Sequence, residues 1–151
     1  MVEFTREFEL RSELSQAIIH FSADTRYKLF INDERIAVGP ARSSLDTWYY
    51  DTLDVAKHLK AGKNVVRFLV VRYFAASRHA MPFVRTAFPG LTVVGVIEDN
   101  NAVIDLSTGH EWVARLDSSV EFPTGLVDDV FLHVSCAKHV INPTSLTATD
   151  Q

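Results

Sequence analysis

Three consecutive aromatic residues, Trp48, Tyr49 and Tyr50, stand between Arg42 and Asp51. Pyranose rings present a C–H face that packs on an aromatic plane, and a nearby guanidinium or carboxylate can hydrogen-bond the sugar hydroxyls. These five residues are therefore the best candidates for carbohydrate binding. A structural interpretation competes with this one, because side chains alternate between the two faces of a strand and three in a row cannot form one flat platform. In that case at least one of the aromatics packs in a core or docks on another domain.

Carboxylates form the second group of candidates. Glycoside hydrolysis needs two carboxyl groups that face each other across the sugar, about 5 to 9.5 Å apart. Nothing in the sequence brings two of the available aspartates together, and each has a structural interpretation, such as a helix cap for Asp54 or a turn for Asp24. We therefore predict no catalytic pair among the candidates Asp24, Asp46, Asp51, Asp54, Asp128 and Asp129.

The segment 75–88 carries charged and aromatic side chains among apolar residues, namely Arg78, His79, Phe83 and Arg85. Arginine and aromatic residues are enriched at protein interfaces. We expect this loop to contact a neighbouring domain, and a wall of a ligand pocket is the alternative.

Metal and cofactor chemistry has little support in the sequence. The 6 histidines show none of the spacings typical of zinc sites. Cys136 lies in an apolar run, which favours a buried and inert thiol. Neither a phosphate-binding glycine loop nor a G-x-S-x-G nucleophile elbow is present. We predict no cofactor, while calcium held by scattered carboxylates and carbonyls is neither supported nor excluded.

Composition narrows the classes of partner. The chain has 151 residues, 47% hydrophobic and 23% charged, which fits one ordinary globular domain. A net charge of −4 gives no electrostatic reason to expect nucleic acid or an anionic membrane as a partner. The N-terminus has no apolar targeting segment, and no run approaches the length of a membrane span. These features predict a cytoplasmic location.

The elements that must position the candidates are strands, because period-two alternation of apolar and polar residues dominates the sequence. Asn32-Asp33-Glu34 is typical of a hairpin turn, and Asp54 can cap a short helical turn over Val55–Leu59. Asn64–Tyr73 is apolar on both faces, which predicts a central strand. The other predicted strands are Phe4–Leu10, Ala17–Ala23, Arg26–Asn32, Arg35–Val38, Thr47–Thr52, Leu91–Glu98, Ala102–Leu106, Trp112–Leu116 and Ser119–Phe122, with a closing strand within Leu126–Ala137.

Many short strands with almost no helical periodicity predict an all-β fold, an antiparallel β-sandwich or jelly roll. We expect one sandwich domain over residues 1–137 and a polar C-terminal tail over residues 138–151.

Four segments follow one another in a characteristic order: Ala23–Asn32 (ADTRYKLFIN), Gly39–Arg42 (GPAR), Trp48–Val55 (WYYDTLDV) and Leu59–Val66 (LKAGKNVV). Together they resemble the N-terminal sandwich domain of α-L-rhamnosidases and related glycosidases, and Pro89-Gly90-Leu91 and Trp112 extend the match over Phe4–Gly125. In one departure, Asp33 occupies the place of the glycine usual in the hairpin, and aspartate adopts positive φ at modest cost.

The resemblance implies a galactose-binding-like sandwich that is not itself catalytic, because the family's hydrolytic residues lie in a separate (α/α)6 barrel and no position here matches them. It implies an accessory module of an α-L-rhamnosidase-like glycoside hydrolase, which supports the catalytic domain and contacts carbohydrate. One alternative is a free-standing lectin-like carbohydrate-binding protein. Another is a protein-interaction sandwich without sugar binding, for which self-association is an expected property.

Overall fold

The computed structural model describes residues 1–41, 46–72, 90–99, 102–121 and 138–139. Over these residues the backbone forms β-strands and a single short 3-10 helix, Ala56–His58. The strands are β1 (Val2–Leu10), β2 (Ile18–Asp24), β3 (Arg26–Ile31), β4 (Glu34–Gly39), β5 (Asp51–Asp54), β6 (Gly62–Val71), β7 (Gly90–Asp99), β8 (Ala102–Asp105), β9 (Val113–Leu116), β10 (Val120–Glu121) and β11 (Lys138–His139).

Two antiparallel sheets make up the fold. The first sheet has the strand order β4-β3-β6-β1-β9, and the second has the order β5-β2-β7-β8. The two-residue strands β10 and β11 pair separately. The predicted β-sandwich is confirmed, and so is the central position of β6, which pairs with β1 on one side and β3 on the other.

The core lies between the two sheets. Phe21 of the second sheet meets Tyr27 and Phe68 of the first, with ring centroids 5.2 and 5.3 Å apart and edge-to-face geometry. The predicted alternation is confirmed on β2 and β3, since every second side chain is buried: Ile19, Phe21, Ala23, Tyr27, Leu29 and Ile31.

The hairpin between β3 and β4 turns at two residues with positive φ, Asn32 at 49° and Asp33 at 68°. Asp33 therefore holds the turn without glycine, as predicted. Asn32 also ties the turn to β6, because its amide Nδ2 donates to Asn64 Oδ1 at 2.9 Å and its Oδ1 accepts from the Val65 amide at 3.1 Å.

The prediction for Thr47–Thr52 is wrong in part, because the strand begins only at Asp51. Aromatic residues favour strands, but the backbone at Tyr49 is bound by a side chain instead: Ser22 Oγ donates to its carbonyl at 2.7 Å. The predicted helical turn is the 3-10 helix, but its N-cap residue is Val55 rather than Asp54. Asp54 Oδ1 still accepts from the Ala56 amide, at 3.1 Å.

Several predictions lie outside the described residues, among them the loop 75–88 and the strand within residues 126–137 with Cys136. Lys138 and His139, placed in the tail by the sequence, pair with β10. The domain boundary after residue 137 stays a prediction. In the part of the chain that the structure describes, no helix is long and apolar enough to cross a membrane.

Candidate ligand-binding groove

A groove of about 780 Å³ lies on the outer face of the second sheet. Because neighbouring side chains of a strand point to opposite faces, burial of Ile19, Phe21 and Ala23 in the core turns the residues between them outward. The groove is lined by His20, Phe21, Ser22, Ala23, Asp24, Trp48, Tyr50, Gly90, Leu91, Thr92 and Val94.

The floor of the groove is built from β2 and β7. The antiparallel register sets Asp24 opposite Gly90, Ser22 opposite Thr92 and His20 opposite Val94. The floor therefore has three levels along the strands, carrying a carboxylate at one end, two hydroxyls in the middle and an imidazole beside an isopropyl group at the other end.

The wall of the groove comes from the segment before β5. The indole Nε1 of Trp48 donates to Ser22 Oγ at 2.9 Å, which fixes the ring against the floor. Tyr50 meets the His20 ring edge-on, with centroids 5.8 Å apart. Tyr49 is not among the lining residues, and its side chain is 49% exposed. Two of the three predicted aromatics thus line the groove, and the one between them does not.

Asp51, a predicted sugar contact, is engaged elsewhere in the structure. Its carboxylate accepts a hydrogen bond from the buried hydroxyl of Tyr27. Burial, and then this hydrogen bond, raise the pKa of Tyr27 far above its ordinary value of 10.0. Gly39 permits the approach, since a Cβ there would lie 2.5 Å from the Tyr27 hydroxyl. Asp51 thereby anchors the start of β5, immediately after the aromatic wall.

Asp24 is the one carboxylate among the described lining residues. It is 4% exposed, accepts from Thr25 Oγ1 at 3.0 Å and lies 3.6 Å from the guanidinium Nε of Arg72. A glycosidase needs two carboxyl groups across the sugar. The described lining of the groove thus holds one carboxylate, where that mechanism uses two.

Sequence reasoning missed the groove residues on β2 and β7. His20 shares a 2.8 Å hydrogen bond between its Nδ1 and Thr52 Oγ1, and it also lines the groove. Ser22 and Thr92 were not among the predicted site residues. The available signal was the polar side chain at every second position of β2, between residues that the same pattern assigned to the core.

The remaining predicted site residues lie outside the described residues and stay predictions: Arg42, Arg78, His79, Phe83 and Arg85. Among the residues with a described position, no group of three or more histidine, cysteine, aspartate or glutamate side chains could hold a metal ion. The calcium hypothesis stays untested, since calcium also takes carbonyl ligands.

Solved structures with a similar fold are α-L-rhamnosidases. A GH78 family rhamnosidase of Bacillus sp. GL1 matches 79% of this chain with a TM-score of 0.63 and 26% identity. The α-L-rhamnosidases of Dictyoglumus thermophilum and Aspergillus terreus match the same share of the chain at 19% identity, with TM-scores of 0.55 and 0.56. No family model and no curated protein matches the sequence.

The extent of these matches is as informative as their fold. The chain spans only 12% of the Bacillus enzyme, 13% of the Dictyoglumus enzyme and 15% of the Aspergillus enzyme. The fraction matched is that of one domain within a much longer protein. Sequence segments and structure point the same way, because the chain is similar to a single β-sandwich domain of a GH78 α-L-rhamnosidase.

Proposed function

We propose that the chain is a non-catalytic accessory module of an α-L-rhamnosidase-like glycoside hydrolase, which supports a separate catalytic domain and contacts carbohydrate through the groove. The observation that carries the proposal is the extent of the match: 79% of this chain against 12% of the Bacillus rhamnosidase. A domain of that relative size serves a larger enzyme, and the carboxylate Asp24 has no second carboxylate facing it among the described lining residues.

The groove supports the carbohydrate contact. Trp48 and Tyr50 offer aromatic faces, and the second of these side chains is 66% exposed, so a ligand can reach it. Thr92 and His20 place a hydroxyl and an imidazole on the floor, where the hydroxyls of a sugar can exchange hydrogen bonds with them. This combination of flat apolar rings and convergent polar groups is what a small polar ligand with apolar faces requires.

Two assays on the purified chain test the proposal. We expect no hydrolysis of an aryl α-L-rhamnoside, and heat release in titrations with rhamnose or galactose oligosaccharides that disappears in Trp48→Ala. Hydrolysis that is lost when the chain's own aspartates are replaced would overturn the non-catalytic role. Binding that is unchanged in Trp48→Ala would overturn the assignment of the groove.

A second candidate function, protein interaction, is favoured by an exposed apolar strip beside the groove. Ile18, Val94, Val96 and Val103 share the outer face of the second sheet and are 38%, 53%, 48% and 70% exposed. Apolar side chains grouped on one face are typical of a surface that contacts another protein domain. Light scattering separates the two functions: self-association that Val96→Lys abolishes supports interaction through the strip, and a monomer at all concentrations argues against it.

A further inference from the structure

The three levels of the groove floor give it a measurable length. His20, Ser22 and Asp24 project from alternate positions of one strand. With a rise of about 3.3 Å per residue, adjacent levels are about 7 Å apart and the floor extends about 13 Å. The opposite strand has the same spacing, because its residues are in register with the first. The groove is therefore long and regular along the strand direction.

Each aromatic ring of the wall belongs to a different level. Trp48 is bound to Ser22 at the middle level through its indole nitrogen, at 2.9 Å. Tyr50 lies against His20 at the next level, with ring centroids 5.8 Å apart. The two rings are thus held at successive positions along the floor, about one level or 7 Å apart.

The spacing of the two rings exceeds the length of one sugar unit. A six-membered ring with bonds of about 1.5 Å is about 3 Å across, and with its bonds to the bridging oxygens a pyranose advances a glycan by about 5 Å. A single ring cannot lie on both aromatics, whereas two consecutive rings can, and about 13 Å of floor accommodates two to three units. We propose that the groove binds a segment of a neutral oligosaccharide, with one pyranose unit on Trp48 and the next on Tyr50.

The polar groups of the floor indicate the chemical class of the ligand. Thr92 contributes a hydroxyl at the middle level and His20 an imidazole at the Tyr50 level, and both groups can exchange hydrogen bonds with sugar hydroxyls. The Ser22 hydroxyl is already bonded to the Tyr49 carbonyl and the Trp48 indole. Asp24 closes the far end with a carboxylate 3.6 Å from Arg72. The Arg72 guanidinium offsets the charge of this buried carboxylate, so neutral sugars are the class that fits the described floor.

This inference rests on the proposed carbohydrate contact and sets the length of its ligand. The experiment compares L-rhamnose with its disaccharide and trisaccharide, and the same sizes built from D-galactose, by calorimetric titration of the intact chain. We expect the disaccharide of the preferred sugar to bind about tenfold more tightly than the monosaccharide, since it covers a second ring. The trisaccharide should add little beyond that.

Variants separate the contributions of the two rings. Tyr50→Ala should reduce disaccharide affinity to that of the monosaccharide, and Tyr49→Ala is the matched control, because its side chain lies outside the groove and only its carbonyl is used. Thermal melts of both variants establish that they fold. Equal affinity for monosaccharide and disaccharide would overturn the two-unit site while leaving the carbohydrate contact intact. Absence of binding to every sugar in both series would overturn the contact itself, and this inference with it.

Discussion

The outer faces of the two sheets differ, although both come from the same alternation of side chains. On the first sheet, Arg67 lies between Glu3 at 3.5 Å and Asp33 at 3.6 Å, and its guanidinium covers the Phe30 ring at 4.5 Å. On the second sheet, aromatic rings, valines and neutral polar groups surround a groove. One face has its charges paired with one another, and the other presents groups suited to a ligand.

Both sheets pack on the same core, so the difference between their outer faces indicates which face is the candidate for binding. Exposed ion pairs contribute little to stability, so the face around Arg67 can be charged without constraining the fold. Aromatic rings and valines that stay in contact with water forgo the free energy of burial, and the side chains of Tyr50 and Val94 are 66% and 53% exposed. Under the proposed function, a bound partner would cover these side chains.

The largest expected effect concerns the core that separates the two faces. Phe68 is fully buried and contacts Phe21, Tyr27 and Trp112. Phe68→Ala should lower the free energy of unfolding by about 3–5 kcal/mol, because it leaves a cavity between the sheets. Denaturant titration measures this loss. A loss below about 1 kcal/mol would mean that the two faces do not share a packed core.

A smaller effect is expected where the groove wall meets the first sheet. Tyr27→Phe removes the donor to Asp51 and should cost about 1–2 kcal/mol in denaturant titrations. Since Asp51 anchors the segment that carries Tyr50, sugar binding should weaken as well, which calorimetry would detect. Unchanged binding in a destabilised but folded variant would show that the wall is positioned without this hydrogen bond.

The stability of the second sheet should depend on pH through Asp54. Hydrogen bonds from the Ala17 amide and then the Ala56 amide hold the pKa of this carboxyl below its ordinary value of 3.8. Its ionised form therefore stabilises the fold above that pH, and the contribution is lost as the pH falls through the folded-state pKa. Asp54→Asn should be less stable than the wild type near neutral pH, and in thermal melts the gap should close as the pH falls well below 3.8. A gap that stays constant with pH would contradict this role.

The smallest effect is expected on the face opposite the groove. Arg67→Ala breaks two partly exposed ion pairs and the contact with the Phe30 ring, and it should change the free energy of unfolding by no more than about 1 kcal/mol. Sugar binding should be unaffected. If this variant weakened binding as much as Trp48→Ala, measured by the same titration, the assignment of function to the second sheet would be wrong.

Much of the fold followed from alternation alone, because burial on one face leaves a period of two in the sequence. The buried positions of β2 and β3 and the turn at Asn32 and Asp33 were predictable in this way. The groove was predictable only in part. Trp48 and Tyr50 stood out by type, but His20 and Thr92 are brought together by pairing of strands some 70 residues apart, and no local pattern carries that register.

The two tryptophans of the chain allow the most direct test of the central claim, that ligand binds on the outer face of the second sheet. Trp48 donates its indole N–H to Ser22 in the groove, and Trp112 donates to the Leu106 carbonyl away from the groove. In a 15N–1H NMR titration with the preferred disaccharide, we predict that the indole resonance of Trp48, assigned with Trp48→Phe, moves while that of Trp112 stays. Movement of the Trp112 resonance alone, or of neither, would contradict the account.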